Sequence, residues 1–337
     1  MTNRIYQLVS PKMISVKCCD LPENDVIIRP RYMAVCQADQ RYYLGKRDPA
    51  ILKKKLPMAL IHECCGEVLY DKTGTYKIGQ KVVLIPNVPG NALDTEIYEN
   101  YQKGSYFLSS GHDGFMRELV SMPLDRVVPY ENIDEKVASI CEFVSVGVHA
   151  VERFLKISHS RRDVIGIWGD GSLAYVVACV LSKKLPSSKI IVMGRSTDKL
   201  SRFSFVYKTY LSDDVPKDFE IDHAFECAGG EGSYFAIDDI IKYINPQGTA
   251  LLMGVSENKV AVNTRDVLEK GISLIGSSRS GRANFEEAVS IMSDSETQRR
   301  LSAIIYEDDC VRNVSDIHRV FENDLQTQFK TAFKWNI

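Results

Sequence analysis

Val164-Ile165-Gly166-Ile167-Trp168-Gly169-Asp170-Gly171-Ser172-Leu173-Ala174 begins with an apolar run of strand length, turns through two glycines, and opens an apolar segment of helical length that continues to Leu185. The turn reads G-x-G-x-x-A. In the order strand, glycine turn, helix, Gly169 permits a tight turn and Gly171 lets a pyrophosphate approach the backbone. Ala174 takes the close-packing place of a third glycine, and the free N–H groups around Ser172 and Leu173 would face phosphates. A dinucleotide site is therefore expected, with a glycine turn that serves only the chain's own geometry as the other reading.

Downstream, short apolar runs recur between helical segments: Lys189 to Met193, Asp222 to Cys227, Thr249 to Val255 and Ile272 to Gly276. Such runs predict a parallel sheet covered on both faces, the doubly wound Rossmann arrangement of the α/β class. At the end of the second strand an NAD site offers a carboxylate to the ribose 2′-hydroxyl. Here the strand ends in Gly194-Arg195-Ser196, with Lys199 one turn later. An Arg, a hydroxyl and a Lys suit a dianionic 2′-phosphate, so NADPH is expected over NADH. The alternative for Arg195 and Lys199 is a pair of solvated loop charges.

The preceding sequence has a different grammar. Short β-type runs such as Asp25 to Arg29 and Lys81 to Ile85 are separated by turn signals, Lys72-Thr73-Gly74 and Pro86-Asn87 among them. The segment from Asn284 is charged and helix-prone and ends in an apolar run, Thr331 to Trp335, expected to return to the first domain. The expected division is thus a β-rich domain of residues 1–145 and 285–337 and a dinucleotide domain of residues 146–284, joined near 145 by a continuous helix. The 337 residues suit about two domains of roughly 150 residues each.

Lys and Arg number 42 against 44 Asp and Glu, a net charge of −2, which leaves no global electrostatic footprint for nucleic acid or an anionic membrane. Composition, 45% hydrophobic and 26% charged, excludes a disordered chain. Nine cysteines, an odd number without a C-x-x-C, argue against a disulfide framework. With an N-terminal segment that lacks the apolar core of a signal peptide, they predict a soluble protein of the reducing cytoplasm. The longest apolar stretch, Ala174 to Leu181, is too short to span a bilayer.

Candidate metal ligands lie in the β-rich part. Cys36 stands in Cys36-Gln37-Ala38-Asp39, Ile61-His62-Glu63 follows, and Glu142 opens Glu142-Phe143-Val144-Ser145-Val146-Gly147-Val148-His149-Ala150. One thiolate, one imidazole and a carboxylate suit a catalytic zinc with an open position. Spacing alone does not bring them together, and a single Cys or His is also an ordinary packed residue.

These segments, in this order and followed by the G-x-G-x-x-A turn, resemble the zinc-dependent medium-chain dehydrogenase/reductase family, and within it the polyol dehydrogenases. The longer segments Ala38 to Tyr43, Ser109 to Met116, Gly166 to Gly171, Val267 to Gly271 and Ile275 to Gly281 resemble its bacterial ribulose-5-phosphate reductase branch. The resemblance implies a GroES-like catalytic domain beside the Rossmann domain, one catalytic zinc at Cys36, His62, Glu63 and Glu142, and a homo-oligomer. It implies NADPH-dependent reduction of D-ribulose 5-phosphate to D-ribitol 5-phosphate, feeding CDP-ribitol for teichoic acid or capsule synthesis.

The family's structural zinc needs four closely spaced cysteines between Pro86 and Gly111. None is there, so that metal is expected to be absent. Many relatives carry Ser or Thr two residues after the zinc cysteine to begin a proton relay, and here that residue is Ala38. Asp39, Tyr42, His112 or a water remain as proton carriers. For the substrate phosphate, Arg41, His112 and Arg279 are candidates, with Lys103 weaker and Lys53-Lys54-Lys55 read as an exposed run. Two other functions stay open: a zinc dehydrogenase of unphosphorylated polyols, which would favour NAD, and a non-catalytic dinucleotide-binding protein.

Overall fold

The computed structural model describes residues 2–22, 24–90 and 95–337. The chain forms two compact units, Val146–Ser278 and a second made of Met1–Ser145 with Arg279–Ile337. The division at Ser145 and Val146 falls inside the helix Cys141–Ile157.

In the Val146–Ser278 unit, the strand Val164–Trp168 is buried from Ile165 onward and lies inside a six-stranded, all-parallel sheet. Across the sheet the strands run Lys208–Leu211, Lys189–Gly194, Val164–Trp168, Ile221–Glu226, Ile244–Leu252 and Ser273–Gly276. Counted along the chain this is the order 3-2-1-4-5-6, whose reversal beside Val164–Trp168 is where doubly wound folds take ligands at the strands' carboxyl ends. The helix Ser172–Lys184 is buried from Ala174 to Leu181, and Ile237, Ile240 and Ile241 of Gly232–Tyr243 pack against Ile221 and Ala224. The strand expected from Thr249 starts at Ile244 and passes through Gln247 at φ +62°. Lys208–Leu211 was not anticipated. It is an edge strand with no fully buried residue, so it lacks the apolar run that marks its neighbours.

In the other unit, Val26–Val35 is the hub of a seven-stranded sheet. It pairs antiparallel with Glu63–Asp71, Val120–Met122 and Lys330–Trp335. The registers set Ala34 opposite Glu63 and Val35 opposite Thr331. A three-stranded sheet, Met13–Asp20 with Thr2–Ser10 and Met58–Ala59, closes over a core that includes Leu8, Ile28, Met33, Phe115, Phe321, Phe333 and Trp335. Asn87, expected in a turn, instead begins the short strand Asn87–Val88 paired with Tyr106–Phe107, is fully buried, and accepts a hydrogen bond from Arg126. The chain rejoins this unit at Arg279, ahead of the expected 285, because Ser280 hydrogen-bonds Ser145 at 2.6 Å and the Arg282 N–H donates to Glu99 at 2.7 Å. Among the described residues no helix is long and apolar enough to cross a membrane.

The loop Asp113 to Met116 lies against the segment that carries His62. Gly114 N–H donates to Ala59 and Phe115 N–H to Ile61. A Cβ on Gly114 would meet the Ile61 and Leu60 carbonyl oxygens at 2.4 and 2.5 Å, and backbone cannot swing aside as a side chain can. Gly114→Ala is therefore expected to lower the thermal unfolding midpoint by roughly 5 °C or more. An unchanged midpoint in differential scanning calorimetry would show that the close approach is not needed.

Candidate functional site

Cys36 directly follows the hub strand and caps the helix Gln37–Tyr43. Glu63 begins the neighbouring antiparallel strand opposite Ala34, so the sheet register, not sequence distance, brings Cys36 beside His62 and Glu63. One ligand atom from each of these three residues lies within 4.8 Å of the others. Glu142, in the first turn of Cys141–Ile157, flanks the cluster with its Oε2 4.0 Å from His62 Nε2. Ile61, one residue before His62, has φ +68° although it is β-branched and fully buried. Such a residue is a backbone outlier, and its N–H is fixed by the Asp39 carboxylate at 3.0 Å.

Asp39 turns the imidazole as well. Its Oδ2 lies 3.2 Å from His62 Nδ1, which leaves Nε2 on the side of Cys36 and Glu142. A carboxylate behind the imidazole fixes the tautomer of a metal-binding His. The Ser109 hydroxyl donates a short hydrogen bond to Asp39 Oδ1. On the other side, Lys330 Nζ donates to Glu63 Oε1 at 2.5 Å and to the Val35 carbonyl at 2.8 Å. It also rests on the Phe143 ring. The second oxygen, Glu63 Oε2, is buried with no hydrogen-bond partner.

Asp39, Glu63, Glu142 and Lys330 are all buried, at 0, 0, 5 and 4% exposure. Three carboxylates thus share one ammonium. Burial pushes Glu142 up to about 7 even though His62 pulls it down. Burial alone would lower His62, but Asp39 and Cys36 carry it well above its ordinary value. Burial would likewise raise Asp39, and His62, Ser109 and the Ile61 N–H together hold it below. Burial opposes the Lys330 ammonium, and Glu63, Cys36 and Asp324 together more than offset that. A thiol, an imidazole and a partnerless carboxylate oxygen, with excess acid around them, fit a divalent zinc ion.

The other expected residues are distributed around this cluster. The Phe107 ring packs on His62 at 5.3 Å, and the Arg279 guanidinium lies over Phe107 at 5.0 Å, with Arg279 at φ +58°. His112 is exposed and lies against the Tyr106 ring, 4.2 Å between centres and tilted by 35°. Arg41 lies half-buried on the helix Gln37–Tyr43. Part of the cysteine-free region from Pro86 to Gly111, residues 91–94, lies outside the described residues. Lys330 and Ser109 went unrecognised from sequence, since their partners are far away along the chain.

At the glycine turn the two glycines differ. Gly169 has φ +132°, and a Cβ there would meet the Cys227 carbonyl at 2.8 Å, so its own chain demands glycine. A Cβ on Gly171 would meet nothing within 4 Å. The space over the N-terminus of Ser172–Lys184 is the kind a pyrophosphate requires. Ala174 is fully buried, while Ser172 and Leu173 are half-buried. Arg195 is exposed, and the Ser196 hydroxyl accepts from Lys199 N–H as the cap of Thr197–Leu200. An acid does reach this loop: Asp170, the variable residue between the glycines, accepts from the N–H groups of Arg195 and Ser196 at 2.7 and 2.8 Å. Glu226 similarly ties Ala228, Gly229, Ser233 and Gly254 together.

Residues 22–132 match the alcohol dehydrogenase GroES-like domain. Over its whole length the chain is 57% identical to ribulose-5-phosphate reductase of Streptococcus pneumoniae, covering 98% of that protein. It is 47% identical to ribulose-5-phosphate reductase 1 of Staphylococcus aureus, with 99% of each chain covered. The crystal structure of S. aureus TarJ in complex with NADPH is similar across 100% of both chains, with a TM-score of 0.89 and 42% identity. The chain therefore belongs to the ribulose-5-phosphate reductases, within the medium-chain dehydrogenase/reductase family.

Proposed function

We propose that this chain reduces D-ribulose 5-phosphate to D-ribitol 5-phosphate with NADPH and one zinc ion per chain. The observation that carries the reading is the buried donor set of Cys36, His62 and Glu63. The two reductase relatives support the substrate, and the NADPH complex of S. aureus TarJ supports the cofactor. The product would feed CDP-ribitol for teichoic acid or capsule. The reading includes a homo-oligomer in the cytoplasm, a compartment that suits nine free cysteines.

When bound, zinc supplies a Lewis acid for the ketose carbonyl and NADPH supplies the hydride. Cys36, His62 and Glu63 hold the ion, with Glu142 beside them as a further carboxylate. Asp39 orients the His62 ring, and Lys330 holds one Glu63 oxygen while leaving the other to the cluster. Ala38 has no hydroxyl to pass a proton. Ser109 places a hydroxyl on Asp39, and Tyr42 of this helix places one on Lys55. Gly171 leaves room for the pyrophosphate, and the Ser172 and Leu173 N–H groups receive it. Arg195 and Lys199 meet the 2′-phosphate, and the Ser196 hydroxyl, although it accepts from Lys199, keeps its own hydrogen to donate.

Three outcomes are expected. Initial rates of NADPH oxidation are highest with ribulose 5-phosphate among a panel that includes ribulose, fructose and xylulose 5-phosphate, and chelation abolishes them. Faster turnover of an unphosphorylated ketose would favour a polyol dehydrogenase, and NADPH binding without any ketose reduction a non-catalytic protein. Metal analysis gives about one zinc per chain, while Cys36→Ser retains far less and loses roughly 100-fold or more in kcat/KM. About two zincs per chain in the wild type would contradict the single-site assignment. Arg195→Asp lowers the NADPH-to-NADH ratio of kcat/KM by about 10- to 100-fold. An unchanged ratio would remove Arg195 from the cofactor site.

A further inference from the structure

A dianionic phosphate at the far end of the sugar from the reduced carbonyl needs a cation that is not already neutralised. Lys53-Lys54-Lys55 reads from sequence as one exposed run, yet the structure separates its last member. Lys53 and Lys54 are exposed, whereas Lys55 ends the helix Pro49–Lys55 half-buried, with its ammonium turned onto two hydroxyls. Its Nζ donates to Tyr42 Oη at 3.0 Å and to Ser110 Oγ at 2.8 Å, and lies 5.7 Å from the centre of the Tyr42 ring. An ammonium has three donors, so one is unspent. Among the described residues no carboxylate pairs with Lys55.

Both hydroxyls trace back to the donor cluster. Ser110 follows Ser109, whose hydroxyl is bonded to Asp39, and Asp39 lies 3.2 Å from His62. Tyr42 stands three residues after Asp39 on Gln37–Tyr43, which places the two on one face of the helix. Two separate links therefore tie an unneutralised ammonium to the residue that orients His62. We infer that Lys55, held by Tyr42 and Ser110, anchors the phosphate of the sugar phosphate and sets the preference for a phosphorylated ketose. This inference rests on the reductase reading above. A purely structural Lys55 would only fasten the loop around Ser110 to the helix around Tyr42.

The test uses the zinc-loaded enzyme at saturating NADPH, comparing the wild type with Lys55→Gln and Lys55→Arg. KM for ribulose 5-phosphate is expected to rise about 10- to 100-fold in Lys55→Gln, with kcat changing far less. The inhibition constant of inorganic phosphate rises with it, and Lys55→Arg recovers part of both. Three results would overturn the inference while leaving the reductase reading intact: an unchanged KM, a fall confined to kcat, or unaltered phosphate inhibition. A wild type that fails to reduce ribulose 5-phosphate overturns the reductase reading, and the inference with it.

Discussion

Burying Asp39, Glu63 and Glu142 around one sulfur and one imidazole is the constraint on which the β-rich unit depends. Each unpaired buried carboxylate costs several kcal/mol, and Lys330 is a single ammonium among three. The fold answers with geometry. The C-terminal strand Lys330–Trp335 lies against Val26–Val35, and its first residue reaches both the Val35 carbonyl and Glu63. Ile61 accepts a left-handed backbone so that its N–H can reach Asp39. Ser109 adds a second donor to the same carboxylate oxygen. Two buried carboxylate oxygens stay without a hydrogen bond: Asp39 Oδ2, 3.2 Å from His62 Nδ1, and Glu63 Oε2, on the residue that shares a cluster with Cys36 and His62. A dication balances that arrangement better than any further hydrogen bond.

How much of this is legible in sequence depends on the range of the interaction. The glycine turn and the apolar runs Val164 to Trp168 and Lys189 to Met193 are local signals, and the structure follows them closely. Cys36, His62, Glu63 and Glu142 are legible as residue types of zinc chemistry, yet their meeting depends on Ala34 pairing with Glu63, a register that no local pattern encodes. Lys330 is invisible for the same reason, since its partner Glu63 comes from the other end of the chain. Ile305–Val311 was hidden differently. As a half-exposed strand carrying Glu307, Asp308 and Asp309, it has the charge of a helix surface and little apolar alternation.

Lys55 shows why charge runs resist sequence reading. Three adjacent lysines in a short helix point in different directions, and solvation claims two while Tyr42 and Ser110 claim the third. The distinction arises from the loop around Ser110, more than fifty positions along the chain. A net charge of −2 therefore says little about affinity for anions, because what matters is which cations lack a carboxylate partner.

Asp170 raises the converse question of an acid near an expected anion site. Its Oδ2 faces two backbone N–H donors, from Arg195 and Ser196, so the field it presents to the loop is largely spent on the chain itself. Those donors are thereby removed from phosphate binding, and the positive charge must come from side chains. Arg195 is exposed, where an ionic contact is weaker and more easily screened than a buried one. On the function proposed above, cofactor discrimination would rest on a solvent-facing loop that the Asp170 carboxylate ties to the glycine turn. Metal retention would rest on a buried cluster in which Glu63 keeps one oxygen without a hydrogen bond. The two sites use carboxylates for opposite purposes, one to shape backbone and the other to demand a cation, and burial decides which purpose each serves.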